Sequence, residues 1–124
     1  MKFYICDHCK NVIVKMEDKG VPVSCCGEKM REMVAGQSDG AAEKHVPVIE
    51  KDGAKVKVSV GSVAHPMLEE HSIRFIVIET KQGFAKKDLN PGDEPVAEFV
   101  LSDGDELVAA YEYCNLHGLW MAQA

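Results

Sequence analysis

The chain has 124 residues, 46% of them hydrophobic, enough for one ordinary domain or two small ones and too many for a largely disordered protein. Its formal net charge is −6, and the acidity lies beyond residue 35: residues 1–35 carry six Lys/Arg and five Asp/Glu, residues 36–124 eight and fifteen. That balance argues against nucleic acid, which needs a basic face for counterion release, and no apolar run approaches the roughly 20 residues that span a bilayer.

The opening Met1-Lys2-Phe3-Tyr4-Ile5-Cys6 has too short an apolar stretch for an export signal, so the expected location is the cytoplasm. In that reducing compartment an odd set of five cysteines points to metal binding or catalysis, not to disulfides. Residues 1–35 contain Cys6-Asp7-His8-Cys9, a short Val12-Ile13-Val14 segment, a turn around Asp18-Lys19-Gly20, and Cys25-Cys26-Gly27, with fifteen residues between Cys9 and Cys25. So short a segment buries little core, and below about 40 residues a metal or disulfides are usually required. Four thiolates supply that staple. The adjacent pair Cys25-Cys26 departs from the two-to-four-residue spacing of zinc fingers and implies an unusually wrapped tetrahedron. Spacing alone leaves iron and zinc both open here. His8 reads as a solvated loop residue.

Gly36-Gln37-Ser38-Asp39-Gly40 has the small, polar composition of a linker, and divides the chain into expected domains at 1–35 and 36–124. From Val46 onward apolar residues recur with period two. Val46 to Glu50 and Val56, Val58 and Val60 flank Asp52-Gly53, a hairpin pattern. Ile73 to Ile78 is a further strand, Asn90-Pro91-Gly92-Asp93 a turn, and Val96 to Leu101 and Leu107 to Tyr113 two more strands separated by Asp103-Gly104. At least five short strands with turns between them predict an antiparallel β-sandwich. Pro66 to Glu70 is expected to make one helical turn that returns His71 toward His65.

Cys114 stands far from the N-terminal cluster, in Tyr113-Cys114-Asn115-Leu116-His117-Gly118-Leu119-Trp120. Cys-x-x-His places a thiolate and an imidazole together, both suited to iron, copper or zinc. His45, His65, His71 and His117 all fall at strand edges or in loops, where they can complete such a site.

These residues resemble the desulfoferrodoxin family, the two-iron form of superoxide reductase, from end to end. The pattern Cys-x-x-Cys, fifteen residues, Cys-Cys is met by Cys6, Cys9, Cys25 and Cys26. Glu43-Lys44-His45-Val46-Pro47, His65-Pro66-Met67, Glu69-Glu70-His71 and Cys114-Asn115-Leu116-His117-Gly118-Leu119-Trp120 match the family's second domain. The resemblance implies a mainly β protein, with a small desulforedoxin/rubredoxin-like domain followed by an immunoglobulin-like antiparallel β-sandwich. It implies two iron ions per chain: one held by the four cysteines, the other by the four imidazoles in a plane with Cys114 as axial thiolate and the sixth position open. The implied activity is one-electron reduction of superoxide to hydrogen peroxide, in oxidative-stress defence. By the same resemblance Lys44 attracts superoxide and assists protonation, while Glu43 occupies the sixth position of the oxidised iron. Rubredoxin or a similar small redox protein is implied as electron donor, and a homodimer as the assembly. Ala64 stands where a proline is common before the histidine, and Ser72, Arg74 and Phe75 stand where larger aromatics often occur. From the residues alone, two other readings stay open: a structural zinc protein with incidental histidines, and a simple electron carrier.

Overall fold

The computed structural model describes residues 1–38 and 40–124, so Asp39 of the expected linker lies outside the described residues. The chain divides into two compact units, Met1–Val34 and Ala35–Ala124.

The first unit has strands β1 (Phe3–Ile5), β2 (Val12–Ile13), β3 (Ser24–Cys25), β4 (Glu28–Lys29) and β5 (Arg31–Met33). β1 is central to the sheet β2-β1-β5, and β3 pairs with β4 alone. Phe3, Ile5, Cys6 and Met33 are its buried apolar residues, too few to hold the unit without a further constraint. Two tight turns present the thiols. The first closes through Lys10 N–H on Cys6 O (2.8 Å) and Cys6 N–H on Asn11 O (2.9 Å). In the second, Cys26 and Gly27 form the two-residue connection between β3 and β4 with φ of 53° and 79°. Both central residues are left-handed, as a type I′ hairpin turn demands. This explains the adjacent cysteines: Cys25 ends a strand, and Cys26 turns back beside it.

The second unit begins with a one-turn helix, α1 (Ala42–His45). Seven strands follow: β6 (Pro47–Asp52), β7 (Lys55–Val60), β8 (Ile73–Thr80), β9 (Gly83–Asp88), β10 (Val96–Val100), β11 (Leu107–Cys114) and β12 (Gly118–Gln123). They form two antiparallel sheets, β10-β7-β6 and β12-β11-β8-β9. The chain crosses between the sheets after β7, β9 and β10, which gives the immunoglobulin-like sandwich. Alternate residues Val56, Val58 and Val60 of β7 face Ile76, Ile78 and Ala110 of the other sheet in one core. Each fully buried valine contributes roughly 1.5–3 kcal/mol to folding.

Antiparallel pairing brings the ligand-bearing segments to one end of the sandwich. Pro47 pairs with Val60, Ile73 with Cys114, and Cys114 with Gly118. Helix α1, the 61–72 connection and the 115–117 turn therefore emerge together. The expected helical turn at Pro66–Glu70 is absent. In its place Leu68 and His71 exchange backbone hydrogen bonds (2.9 and 3.2 Å), a closed turn that places His71 two residues before β8. Among the described residues, no helix is long and apolar enough to cross a membrane.

Candidate functional site

His45, His65, His71, Cys114 and His117 converge, each offering a donor atom within 4.8 Å of all the others. The four imidazoles form a pinwheel. Neighbouring rings stand nearly perpendicular, at 79° for His45/His65, 83° for His65/His71, 72° for His71/His117 and 85° for His45/His117. The opposed pair His45/His71 lies 6.5 Å apart and only 26° from parallel. His45 Nε2 is 3.1 Å from both His65 Nε2 and His117 Nδ1. Metal–nitrogen bonds of about 2.1 Å at right angles separate neighbouring nitrogens by about 3.0 Å, so these spacings fit one shared ion. His71 Nε2 is buried without a hydrogen-bond partner, as expected of a donor reserved for a metal.

Backbone groups hold the rings in the correct tautomer. His45 Nδ1–H donates to Ala41 O at 2.8 Å and His65 Nδ1–H to Pro66 O at 2.6 Å, which leaves each Nε2 lone pair directed inward. Burial lowers the pKa of His45 and His71, and brings that of His65 down to about 4, with neighbouring imidazoles adding to the effect. The three are therefore neutral and ready to ligate at physiological pH. Trp120 braces the group from the side: its ring stacks on His45 at 5.1 Å, and its Nε1–H donates to His117 O at 3.1 Å.

Cys114 closes β11, fully buried, with Sγ 4.0 Å from His117 Nδ1. Burial pushes its thiol pKa up, while the N–H groups of Leu116 and His117 pull it down by hydrogen bonding the sulfur. Such donors favour the thiolate that a metal requires. Gly118 follows with φ +76°, ending the three-residue turn that carries His117 back beside Cys114.

Sequence reasoning passed over Glu112. It is wholly buried, with both carboxyl oxygens unpartnered, and burial pushes its pKa up to about 9. The signal was present, because Glu112 lies in period-two phase with the inward-facing Ala110 and Cys114. A neutral acid there spares Cys114 a second nearby negative charge, since ionised Glu112 raises the Cys114 pKa further, after burial itself. The folded state keeps a proton that the unfolded chain releases above its ordinary carboxylate pKa, so this residue's contribution to stability falls as pH rises from about 4.5 to about 9. Glu112→Gln should accordingly change stability more favourably at pH 8 than at pH 5, by about 4 kcal/mol, as read from urea midpoints at the two pH values. Equal shifts at both pH values would refute the protonation assignment.

Glu43 and Lys44 lie on α1, outside the five-donor group, with exposed side chains. Ser72 is fully buried, Arg74 donates to Glu69 O at 3.1 Å, and Phe75 stacks on Tyr113 at 5.5 Å, while Ala64 is exposed.

In the first unit, Cys6, Cys9, Cys25 and Cys26 form a second convergent group. Cys9 Sγ is 3.6 Å from Cys25 Sγ, and Cys25 Sγ is 4.0 Å from Cys26 Sγ. Those values bracket the edge of about 3.8 Å of a tetrahedron with metal–sulfur bonds of about 2.3 Å. The thiols also need a cation: amide N–H groups of Cys9 and His8 bring Cys6 down to about 6, whereas the crowding thiols of Cys9 and Cys6 push Cys26 up to about 12. Four adjacent thiolates form only around positive charge. His8 is exposed and outside the group.

The desulfoferrodoxin family model matches residues 37–123. Desulfoferrodoxin of Nitratidesulfovibrio vulgaris is 51% identical over 123 residues, 99% of this chain and 96% of that protein. A desulfoferrodoxin homolog of Archaeoglobus fulgidus is 46% identical over 98% of this chain and 96% of its own length. The crystal structure of the superoxide reductase from Treponema pallidum superposes with a TM-score of 0.83 at 38% identity, covering 98% of each chain. With the family model matching residues 37–123 and a desulfoferrodoxin 51% identical over 99% of the chain, the chain belongs to the desulfoferrodoxin family.

Proposed function

We propose that this chain is a superoxide reductase. It converts superoxide to hydrogen peroxide at an iron held by His45, His65, His71, His117 and Cys114, and is recharged by an external electron donor in oxidative-stress defence. The observation that carries this reading is the convergence of four imidazoles and one fully buried thiol within 4.8 Å. When bound in the ferrous state, the iron supplies one electron, which with two protons turns superoxide into hydrogen peroxide.

The chain's own residues set the conditions for that chemistry. Nδ1–H bonds from His45 and His65 to Ala41 O and Pro66 O fix two of the rings, and the amides of Leu116 and His117 favour a thiolate at Cys114. Lys44 supplies a local positive charge on an acidic chain. Its charge also depresses the pKa of His45 and His71, after the larger effect of burial. In this proposal the Lys44 ammonium draws superoxide toward the site and delivers protons to the product, and the Glu43 carboxylate serves the oxidised site when substrate is absent.

Lys44→Ala should slow the second-order reaction with superoxide about tenfold at low salt and flatten its ionic-strength dependence, measured by pulse radiolysis of the reduced protein. Unchanged rates at low salt would remove Lys44 from this role.

Residues 1–35 are proposed as a desulforedoxin-like domain whose Cys6, Cys9, Cys25 and Cys26 hold a second iron, and residues 36–124 as the superoxide reductase domain. Colour separates iron from zinc in the four-thiolate site, because ferric tetrathiolate absorbs strongly in the visible and zinc does not. A small redox protein such as rubredoxin is proposed as the donor, and a homodimer in the cytoplasm of an anaerobe as the working form. The first unit's meagre buried apolar set, with Met16, Val21 and Val34 exposed, supports a need for partner surface.

A further inference from the structure

Beside the ligands, one polar residue joins two of the loops that carry them. Asn115 lies between Cys114 and His117 in the chain. Its backbone N–H donates to Ser72 O at 3.3 Å. Its side chain makes two more bonds to the same segment: Oδ1 accepts from Ser72 N–H at 2.9 Å, and Nδ2–H donates to Glu70 O at 3.0 Å. Glu70 and Ser72 are the two residues that flank His71. We infer that Asn115 is the positioning residue for His71, its amide gripping the backbone on either side of that histidine and aiming the imidazole at the other four donors. The inference rests on the five-donor reading given above.

The fold shows why a side chain is needed at this place. The β8–β11 ladder runs in register from Ala109↔Glu79 to Tyr113↔Phe75 and then shifts to Cys114↔Ile73, leaving Arg74 as an unmatched bulge residue. A bulge bends its strand and ends regular pairing. Past the Cys114↔Ile73 pair, Asn115 N–H donates to Ser72 O. His71 spends its own backbone groups on the closed turn with Leu68. Its flanks would be loose without another donor and another acceptor, and the planar amide of asparagine offers one of each. Among the described residues His71 Nε2 has no hydrogen-bond partner, so that nitrogen does not fix the ring, and the backbone that carries it contributes to its direction. Neither alanine nor serine reaches both groups. Aspartate keeps the acceptor for Ser72 N–H but sets an oxygen against Glu70 O.

A double-mutant cycle on ferrous-iron affinity tests this, read by anaerobic chelator competition and with far-ultraviolet circular dichroism as a check on folding. Asn115→Ala should weaken iron binding at the five-donor site about 10- to 100-fold, the usual effect of losing a group that orients a ligand. Asn115→Asp, which preserves size, should weaken it about tenfold, and carries the comparison if the alanine variant does not fold. In a His71→Ala background either change should cost less than about twofold, because the residue acts through His71. Parent-like affinity in both Asn115 variants would overturn the inference. So would a full loss that persists when His71 is already gone, since that is the behaviour of a general structural role. Iron binding by the parent without peroxide formation would defeat the proposed function, and the cycle would still decide the role of Asn115.

Discussion

Cys114→Ser is expected to abolish peroxide formation from superoxide, lowering the rate at least about 100-fold, while leaving the sandwich folded. Sγ sits at the end of β11, fully buried and faced by the amides of Leu116 and His117. A thiol in that setting becomes a thiolate when a cation arrives. A serine hydroxyl, far less acidic, stays protonated and hydrogen-bonds neighbours instead. The change is nearly isosteric, so its structural cost is that of a buried hydroxyl, about 1–2 kcal/mol. Two readouts separate the effects: iron content and sulfur-to-iron absorption at the five-donor site should fall together, while absorption from the four-cysteine site persists. The reciprocal variant, Cys6→Ser, should lose the four-cysteine colour and retain peroxide formation. A Cys114→Ser protein that formed peroxide like the parent would contradict the proposed mechanism even with the fold intact.

Gly61→Ala should be the most destabilising of the glycine-to-alanine changes, costing about 3 kcal/mol or more, since only at Gly61 would a Cβ stand closer than 3.0 Å to its neighbours. Gly61 has φ +81°, and a Cβ there would stand 2.5 Å from Val63 O, 2.6 Å from Lys44 O and 2.7 Å from Glu43 O. All three are backbone atoms that cannot swing aside. The crowding reflects a clamp: Val63 N–H donates to Glu43 O at 2.9 Å and Ser62 Oγ–H to the same oxygen at 3.3 Å, so the 61–63 turn grips α1 just ahead of His45. An added methyl has to push α1 outward, carrying Glu43, Lys44 and His45 with it. Gly53 supplies the control. Its φ is +60°, and a Cβ there would meet nothing within 4 Å, so Gly53→Ala should cost only the left-handed backbone penalty of about 1–2 kcal/mol. Denaturant midpoints for the two variants test the difference, and iron affinity should fall for Gly61→Ala alone. Equal destabilisation would show that the clamp yields.

Much of the sandwich was legible because its strands alternate. Val56, Val58 and Val60 interleave with Lys55, Lys57 and Ser59, and Asp52-Gly53 marks the turn between β6 and β7. β9 was not, since Gly83–Asp88 is exposed along its whole length and shows no apolar face. β12 was obscured by Leu119 and Trp120, consecutive and both buried, which break the alternation. Helix α1 is four residues long, less than the span over which a 3.6-residue period can be seen. The donor residues were readable because cysteine and histidine are scarce and chemically distinctive in this chain. Asn115 and Ser62 were not, for their importance comes from backbone groups 43 to 45 residues away for Asn115 and 19 for Ser62. The tautomers of His45 and His65 depend likewise on carbonyls whose direction only the fold determines.

The most direct measurement follows the fate of superoxide consumed by the reduced, iron-loaded protein in the presence of a reducing donor, with hydrogen peroxide and oxygen quantified together. Superoxide reduction predicts one peroxide for each superoxide consumed, no oxygen, and one donor electron for each turnover. Half as much peroxide accompanied by oxygen would mean dismutation. Consumption no faster than the spontaneous rate would leave the five-donor site an electron carrier or a structural centre, and would contradict the assignment.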